Sequence, residues 1–274
     1  MNIKAAAAAA GGSITGNENL EFSKIVTDSR IINNENADDC MFTALSGENF
    51  DGHNYILSVI EKGVKVVLCS HIPTECNDRA TFIIVDDTLV ALGRIASMHR
   101  MQFEIPVCAV TGSVGKTSTK EMIFSVLERG FNVLKTEKNF NNEIGLPMTL
   151  LKMNKDYSAA VVEMGMRGLG QIRYLCGIAY PTMAVVTNVG VAHMELLGSR
   201  DNICRAKLEI ATYLKDGAPL ILCGDDNMLS DTDKVTEILK EYGANPRVVY
   251  FGTGDNCKYR AENIVVTDEN KYSF

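Results

Sequence analysis

The segment VCAVTGSVGKTS, residues 107–118, joins an apolar run to a glycine-rich loop that ends in a lysine. The run predicts a strand over 107–110, and an apolar stripe downstream predicts a helix after the loop. Glycines let backbone N–H groups approach phosphate oxygens, and a lysine here can reach terminal phosphates. The segment therefore predicts a P-loop, although Val110 stands where the full motif has glycine, and an ordinary glycine-rich turn is the alternative. The stripe consists of Met122, Ile123, Val126 and Leu127.

Nearly continuous apolar runs recur along the rest of the chain. Such runs are typical of strands buried on both faces, so an α/β fold with a mostly parallel sheet flanked by helices is expected around the P-loop. A smaller α/β unit precedes it, and Pro106 interrupts the helical pattern between the two. The predicted domains are residues 1–102 and 103–274. The predicted strands are 64–68, 82–85, 159–162, 183–186, 220–223 and 248–251, and a helix is predicted over 89–100.

Composition narrows the function classes. The 274 residues are 46 % hydrophobic and 22 % charged, which suits two globular domains. A net charge of −7 argues against nucleic acid as the main partner. The eight cysteines form no C-x-x-C pair, which indicates reduced thiols. The alanine run over 5–10 is too short for a signal peptide. We therefore expect a cytoplasmic protein without membrane insertion. Residues 261–266 and 272–274 predict a hairpin cut short, which indicates truncation.

Two polar residues follow predicted strands of the second domain. Glu163 ends a buried strand, and His193 follows the next one. Ligands of open α/β sheets collect at the carboxyl ends of strands, so either residue could hold a metal there. A helix-start carboxylate and a hydrogen-bonded loop histidine are the alternatives. The glycines at 165, 168 and 170 do not have dinucleotide-binding spacing.

Lys207 falls on the apolar face of a predicted helix over 199–216, together with Ile203, Ile210 and Leu214. A desolvated amine loses its proton readily and can react with carbon dioxide to form a carbamate that binds magnesium. A lysine stem that carries its charge to the rim of the core is the alternative.

Taken together, these residues resemble the Mur ligase family. The family shares the short T-G-x-x-G-K-T loop, and KNFNNEIGLP, residues 138–147, is similar to its asparagine-rich loop. Val114 departs from a position that is often polar in the family, and we expect the sequence to stop before the family's third domain. The resemblance implies that ATP and Mg²⁺ are the cofactors and that the catalytic residues are Lys116, Glu163, His193 and Lys207. It implies metal ligation by Thr117, Glu163, His193 and carbamylated Lys207. It implies nucleotide contacts from Gly112, Ser113, Val114, Gly115, Lys116, Thr117, Ser118, Asn139 and Asn142.

The first domain is similar to the UDP-sugar-binding domain of family members that act on a UDP-linked muramoyl tripeptide. Its TDSR, FTALSG and DGH motifs carry the likeness, at residues 27–30, 42–47 and 51–53. The implied partners are UDP-N-acetylmuramoyl-tripeptide and D-alanyl-D-alanine, joined through an acyl phosphate by a monomeric enzyme. For the first motif, a solvated polar turn is the alternative. For the whole chain there are two alternatives, namely a nucleotide-binding fragment without turnover and a P-loop NTPase switch. The implied substrate contacts are Ser29, Arg30, Ala44, Gly47, Asp51 and His53.

Overall fold

The computed structural model describes residues 1–266 and 272–273, and the chain divides into two compact units. Unit 1 comprises residues 1–102 together with 150–152. Unit 2 comprises residues 103–149 and 153–274. Each unit has its own sheet and its own buried apolar residues.

Unit 1 is built on a five-stranded sheet of order β1-β7-β6-β3-β2. Strand β1 pairs antiparallel with β7, and the other pairs are parallel. Its helix α3 begins after Asp87, whose side chain accepts hydrogen bonds from two N–H groups of the first turn. The elements are α1 Ile3–Ala10, β1 Ser13–Thr15, β2 Lys24–Val26, β3 Cys40–Thr43, β4 Ser46–Gly47, β5 Phe50–Asp51, α2 Ile56–Glu61, β6 Val66–Cys69, β7 Thr81–Ile84 and α3 Thr88–Arg100.

Unit 2 is built on a seven-stranded sheet of order β14-β13-β12-β11-β8-β10-β9, in which every described pair is parallel. The mixed α/β class and the parallel sheet are confirmed. Strands β8 and β10 are buried along their whole length, which explains their uninterrupted apolar runs. The elements are β8 Val107–Thr111, α4 Lys116–Leu127, β9 Val133–Lys135, α5 Gly145–Leu150, β10 Ala159–Glu163, α6 Gln171–Ala179, β11 Met183–Val186, α7 Met194–Leu197, α8 Arg200–Leu208, β12 Pro219–Cys223, α9 Thr232–Glu241, β13 Arg247–Gly252, β14 Tyr259–Arg260, β15 Val265–Val266 and β16 Tyr272–Ser273.

Helix α4 differs from the sequence prediction. Met122 and Val126 are 64 % and 72 % exposed, so they do not share a buried face with their neighbours. The inward face instead carries Lys120, which is 1 % exposed, together with Ile123 and Leu127, which pack on the sheet. Spacing of three and four residues places these three side chains on one stripe.

The remaining differences concern the ends of elements. The helix predicted over 199–216 is α8 followed by a short 3₁₀ turn over 209–211. The predicted hairpin near the C-terminus is represented by the antiparallel pair β15 and β16, whereas residues 267–271 and 274 lie outside the described residues. None of the helices in the described residues is long and apolar enough to cross a membrane.

Candidate functional site

The P-loop lies at the carboxyl end of β8, between that strand and α4. A Cβ atom on Gly112 would lie 1.8 Å from Thr187 Oγ1, so only glycine fits between the loop and the end of β11. Asn188 holds the next two residues, because its carbonyl accepts from Ser113 N at 3.1 Å and its side chain accepts from Val114 N at 3.1 Å. The loop is therefore held to the neighbouring strand end.

The start of α4 offers donors to an anion. Gly115 adopts φ 78° and precedes the first helical residue, Lys116. The first N–H groups of a helix have no partner within it, and the helix dipole adds positive potential there. The Lys116 Nζ atom donates to Gly112 O at 2.9 Å and so folds over the loop. The N–H groups of Ser113 and Val114 are already hydrogen-bonded to Asn188. The backbone N–H groups in the first turn of α4 are therefore the donors that this region can offer to a phosphate.

Glu163 lies at the end of β10, beside β8, and is 2 % exposed. Its Oε2 atom accepts from Thr117 Oγ1 at 2.8 Å, and its Oε1 atom accepts from Asn141 Nδ2 at 2.8 Å. Its backbone N donates to Thr136 Oγ1 at 3.0 Å. A buried carboxylate is costly unless it is hydrogen-bonded, and both oxygens are satisfied here. The structure therefore joins the P-loop threonine to the strand-end carboxylate.

The asparagine-rich loop supplies a residue that the sequence analysis missed. Asn141 contacts Glu163 and also accepts from Gly165 N at 2.8 Å through its backbone carbonyl. Asn142, for which a nucleotide contact is predicted, accepts from Gly145 N at 2.8 Å through its side-chain oxygen and so holds the start of α5. Asn139 is exposed. Three asparagines within four positions gave no local signal of which one reaches the carboxylate.

A cavity of about 480 Å³ in unit 2 brings together four of the predicted residues, namely Lys116, Asn139, Asn142 and His193. The cavity lies beside Glu163, since Asn141 both lines the cavity and donates to the Glu163 carboxylate. Polar and charged groups dominate its wall, and such groups can hydrogen-bond an anionic ligand. The cavity is lined by Lys116, Asn139, Asn141, Asn142, Glu143, Gly165, Met166, Arg167, Gln171 and His193.

His193 is exposed and adopts φ 64° immediately before α7. Its loop is fixed from two sides. Asp226 Oδ2 accepts from Val189 N at 2.8 Å, and the Arg200 guanidinium donates to Val189 O at 2.6 Å. His193 therefore stands on an anchored loop at the cavity wall and keeps its ring accessible.

Lys207 is 2 % exposed, and the described part of the chain gives its ammonium no hydrogen-bond partner. Ile203, Ile210 and Leu214 are buried with it, as the apolar stripe predicted. Burial, together with a smaller effect of the nearby positive charge of Lys116, lowers the pKa of Lys207 from 10.5 to about 7. A neutral amine is therefore accessible near pH 7, which is the form that reacts with carbon dioxide.

Lys120 is a second buried lysine that the sequence analysis did not single out. Its Nζ atom donates to Thr136 O at 2.6 Å and pairs with Glu121 Oε1 at 2.9 Å. Thr136 in turn accepts from the Glu163 backbone, so Lys120 supports the carboxylate through one intermediate residue. The signal in the sequence was its position one helical turn after Lys116.

The predicted substrate residues of unit 1 divide into accessible and buried groups. Arg30 and Gly47 are exposed, but the Arg30 guanidinium pairs with Asp28, which holds the pKa of that carboxyl at about 2. Ser29 is partly buried, and its carbonyl accepts from Lys62 Nζ at 2.8 Å. These residues lie on or near the short 3₁₀ turn over 29–31 and the β4–β5 hairpin.

His53 and Ala44 are buried, at 4 % and 0 % exposed. His53 Nδ1 is 2.6 Å from Asp51 Oδ1, and its Nε2 atom accepts from Ser70 N at 3.0 Å, so the proton lies on Nδ1. Hydrogen bonds from His53 lower the pKa of Asp51 to about 2. Both ring nitrogens are used internally, and His53 supports the Asp51 loop in this conformation.

The donor set fits a hard divalent cation. Glu163 and Thr117 offer oxygen atoms that already face each other across 2.8 Å, and Mg²⁺ prefers such oxygen ligands. Among the described residues, no three His, Cys, Asp or Glu side chains form a ready-made metal cluster. A complete site here would therefore draw on ligands from outside those residue types, such as a hydroxyl, a modified lysine, phosphate or water.

A parallel α/β sheet with a P-loop and a strand-end carboxylate at its carboxyl edge defines a P-loop nucleotide-binding protein. The Mur ligase middle domain family matches residues 110–274, and the chain belongs to the Mur ligase family.

Curated relatives narrow the family assignment to one type of Mur ligase. A UDP-N-acetylmuramoyl-tripeptide--D-alanyl-D-alanine ligase from Synechocystis sp. is 43 % identical over 215 residues, which cover 78 % of this chain and 46 % of the relative. The Bacillus subtilis protein of the same name is 39 % identical over 232 residues, covering 85 % and 48 %. The chain therefore spans about half the length of these relatives.

Solved structures agree. MurF from Acinetobacter baumannii is 32 % identical with a TM-score of 0.86, covering 96 % of this chain and 55 % of that chain. MurF ligase from Thermotoga maritima, solved in complex with ADP, is 32 % identical with a TM-score of 0.72, covering 84 % and 50 %.

Proposed function

We propose that this chain provides the nucleotide-binding and UDP-precursor-binding units of an ATP-dependent ligase. The ligase joins D-alanyl-D-alanine to UDP-N-acetylmuramoyl-tripeptide during peptidoglycan precursor synthesis in the cytoplasm. The names of the relatives support the substrates. The hydrogen bond of 2.8 Å between Thr117 and Glu163, beside the start of α4, gives the strongest structural support, because it aligns a P-loop hydroxyl with a strand-end carboxylate.

The proposed reaction has two steps. An oxygen of the tripeptide carboxylate attacks the γ-phosphorus of ATP, the bond to the bridging oxygen breaks, and ADP leaves. The amine of D-alanyl-D-alanine then attacks the acyl carbon, a C–N bond forms, the C–O bond to phosphate breaks, and the amine proton passes to solvent. Both reactants of the first step are anions, so charge neutralisation and alignment are the main requirements.

The residues of unit 2 meet these requirements in different ways. Lys116 and the first turn of α4 bind the terminal phosphates. Thr117, Glu163, His193 and carbamylated Lys207 would hold Mg²⁺, which neutralises phosphate charge when it is bound. Lys207 is suited to carbamylation because its pKa of about 7 leaves a neutral amine at physiological pH. Gly112, Ser113, Val114, Gly115, Ser118, Asn139 and Asn142 shape the nucleotide site.

Unit 1 takes the UDP-linked precursor in this proposal. Ser29, Arg30, Gly47 and Asp51 face the ligand, whereas the buried Ala44 and His53 hold their loops in place. For Arg30 to bind diphosphate, its guanidinium has to exchange Asp28 for the ligand, which is feasible because the Asp28–Arg30 pair is exposed and such pairs are weak.

Binding without turnover is the second candidate, because the chain spans about half the length of its relatives. Both candidates are tested by phosphate release from ATP in the presence of UDP-N-acetylmuramoyl-tripeptide and D-alanyl-D-alanine. Release that requires both substrates and disappears in Lys116→Ala supports the ligase. Without release, calorimetric binding of the UDP-tripeptide supports the binding candidate, and the loss of both signals refutes the proposal.

A further inference from the structure

Arg167 is a cationic side chain of the unit 2 cavity that has no role in the nucleotide and metal site proposed above. Arg167 lies in the loop between β10 and α6, four residues after Glu163, and lines the cavity with Lys116 and His193. Its side chain is exposed, and within the described residues its guanidinium makes no ion pair and no hydrogen bond. It is therefore a charged group at the cavity wall that is available to a ligand.

The backbone that carries Arg167 is fixed. The Gln171 side chain accepts from Arg167 N at 2.6 Å and from Gly168 N at 3.3 Å. The buried Glu209 carboxylate accepts from Gly170 N at 2.6 Å, and Met166 is buried. A surface arginine on a loosely held turn would have none of these constraints. The Cα atom of Arg167 thus has a set position from which its side chain reaches the cavity.

The charge of the cavity indicates which ligand the guanidinium meets. Lys116 and the start of α4 already provide for the phosphates of a nucleotide. A second cation at the wall suits a second anion, and the reaction proposed above brings one there, namely the carboxylate that is to be phosphorylated. A guanidinium binds a carboxylate through two parallel N–H···O bonds, which fixes its orientation as well as its position.

We propose that Arg167 binds the terminal carboxylate of the UDP-linked peptide and orients it toward the nucleotide phosphate. This inference rests on the proposed function, since it takes the acyl substrate from it. Arg167 has no covalent role. Its contribution is alignment of the attacking oxygen, which is a large part of catalysis when two anions react.

The test compares two ligands by calorimetry on this chain. One is UDP-N-acetylmuramoyl-tripeptide, and the other is the same molecule with its terminal carboxylate converted to a carboxamide. We expect the unaltered chain to prefer the carboxylate by about tenfold, the size expected for hydrogen bonds to a charged group. Arg167→Met should bind both ligands equally and keep its affinity for ATP, and Arg167→Lys should fall between the two.

Arg173→Met is the matched control. Arg173 lies two residues into α6, is exposed, and stacks on Tyr242 outside the cavity, so its loss should leave the preference unchanged. A preference that survives in Arg167→Met overturns the inference while the proposed function stands. A loss of ATP affinity with the preference intact also overturns it, because the cation would then serve nucleotide phosphate. An unaltered chain that binds neither UDP ligand refutes the proposed function, and the inference with it.

Discussion

Lys207→Met is expected to make the stability of the protein less dependent on pH. Lys207 is 2 % exposed, and burial, with a smaller effect of the Lys116 charge, lowers its pKa from 10.5 to about 7. Below pH 7 both folded and unfolded chains carry the proton, and the folded state bears the full cost of the buried charge, about 5 kcal/mol for this pKa difference. As the pH rises toward 10.5, the folded amine is already neutral while the unfolded amine is still charged. The cost therefore declines with rising pH.

The magnitude follows from these two pKa values. Between pH 6 and pH 9 the unaltered chain should gain about 3 kcal/mol in free energy of unfolding relative to Lys207→Met. Methionine fills a similar volume without a charge, so the variant should be more stable at pH 6 and should approach the unaltered chain at high pH.

Urea denaturation followed by far-UV circular dichroism, in metal-free buffer purged of carbon dioxide, measures this difference. Lys215→Met is the control, because Lys215 is exposed shortly after the same helix and its loss should not change the pH dependence. Curves for Lys207→Met that run parallel to those of the unaltered chain from pH 6 to pH 9 would refute the assignment of a desolvated amine.

Three further changes test the supports of the site. Gly112→Ala should destabilise the protein by about 1–3 kcal/mol and weaken ATP binding, because its Cβ would meet the Thr187 hydroxyl; thermal unfolding and calorimetry measure both. Lys120→Met should cost about 1–3 kcal/mol in urea denaturation, because the buried Thr136 carbonyl loses its donor. Glu209→Gln should cost about 1–3 kcal/mol in the same assay, because one charged acceptor at the start of α6 is lost.

For each of these three substitutions, a control variant or a specific result would contradict the prediction. Gly130→Ala places its Cβ in open space and should leave ATP binding intact. Lys135→Met removes the other partner of Glu121 at a more exposed position, so a cost as large as that of Lys120→Met would contradict the role given to Lys120. A Glu209→Gln protein as stable as the unaltered chain would show that the carboxylate charge adds nothing at α6.

Local patterns predicted the P-loop and the longer strands of unit 2, which are β8, β10, β11, β12 and β13. The P-loop is readable because strand, glycines, lysine and helix are adjacent in sequence, and the buried strands are readable because both of their faces need apolar residues. Strand order was not predictable, since β8 lies between β10 and β11 only through contacts distant in the chain. The short strand β9 carries too few residues to give a pattern.

The site was predictable where a residue conflicts with its surroundings. Lys207 stood out because a charge interrupted an apolar stripe, and the structure places it in the core. Lys120 was not predicted to be buried, because the apolar Met122 and Val126 indicated a different buried face of α4. The sheet instead contacts the face that carries Lys120, Ile123 and Leu127. The bond from Asn141 to Glu163 spans 22 residues, and no local pattern specifies it.

Glu163 is expected to make nucleotide binding depend on a divalent cation. Calorimetry of ATP binding, with Mg²⁺ and with a chelator, tests it in the unaltered chain and in Glu163→Gln. Glutamine still accepts one hydrogen bond at this position, so the fold should be kept. We predict that the unaltered chain loses about tenfold or more in affinity when Mg²⁺ is removed, and that Glu163→Gln shows the same weak affinity in both conditions. A Glu163→Gln protein that retains the full Mg²⁺ dependence would contradict the account.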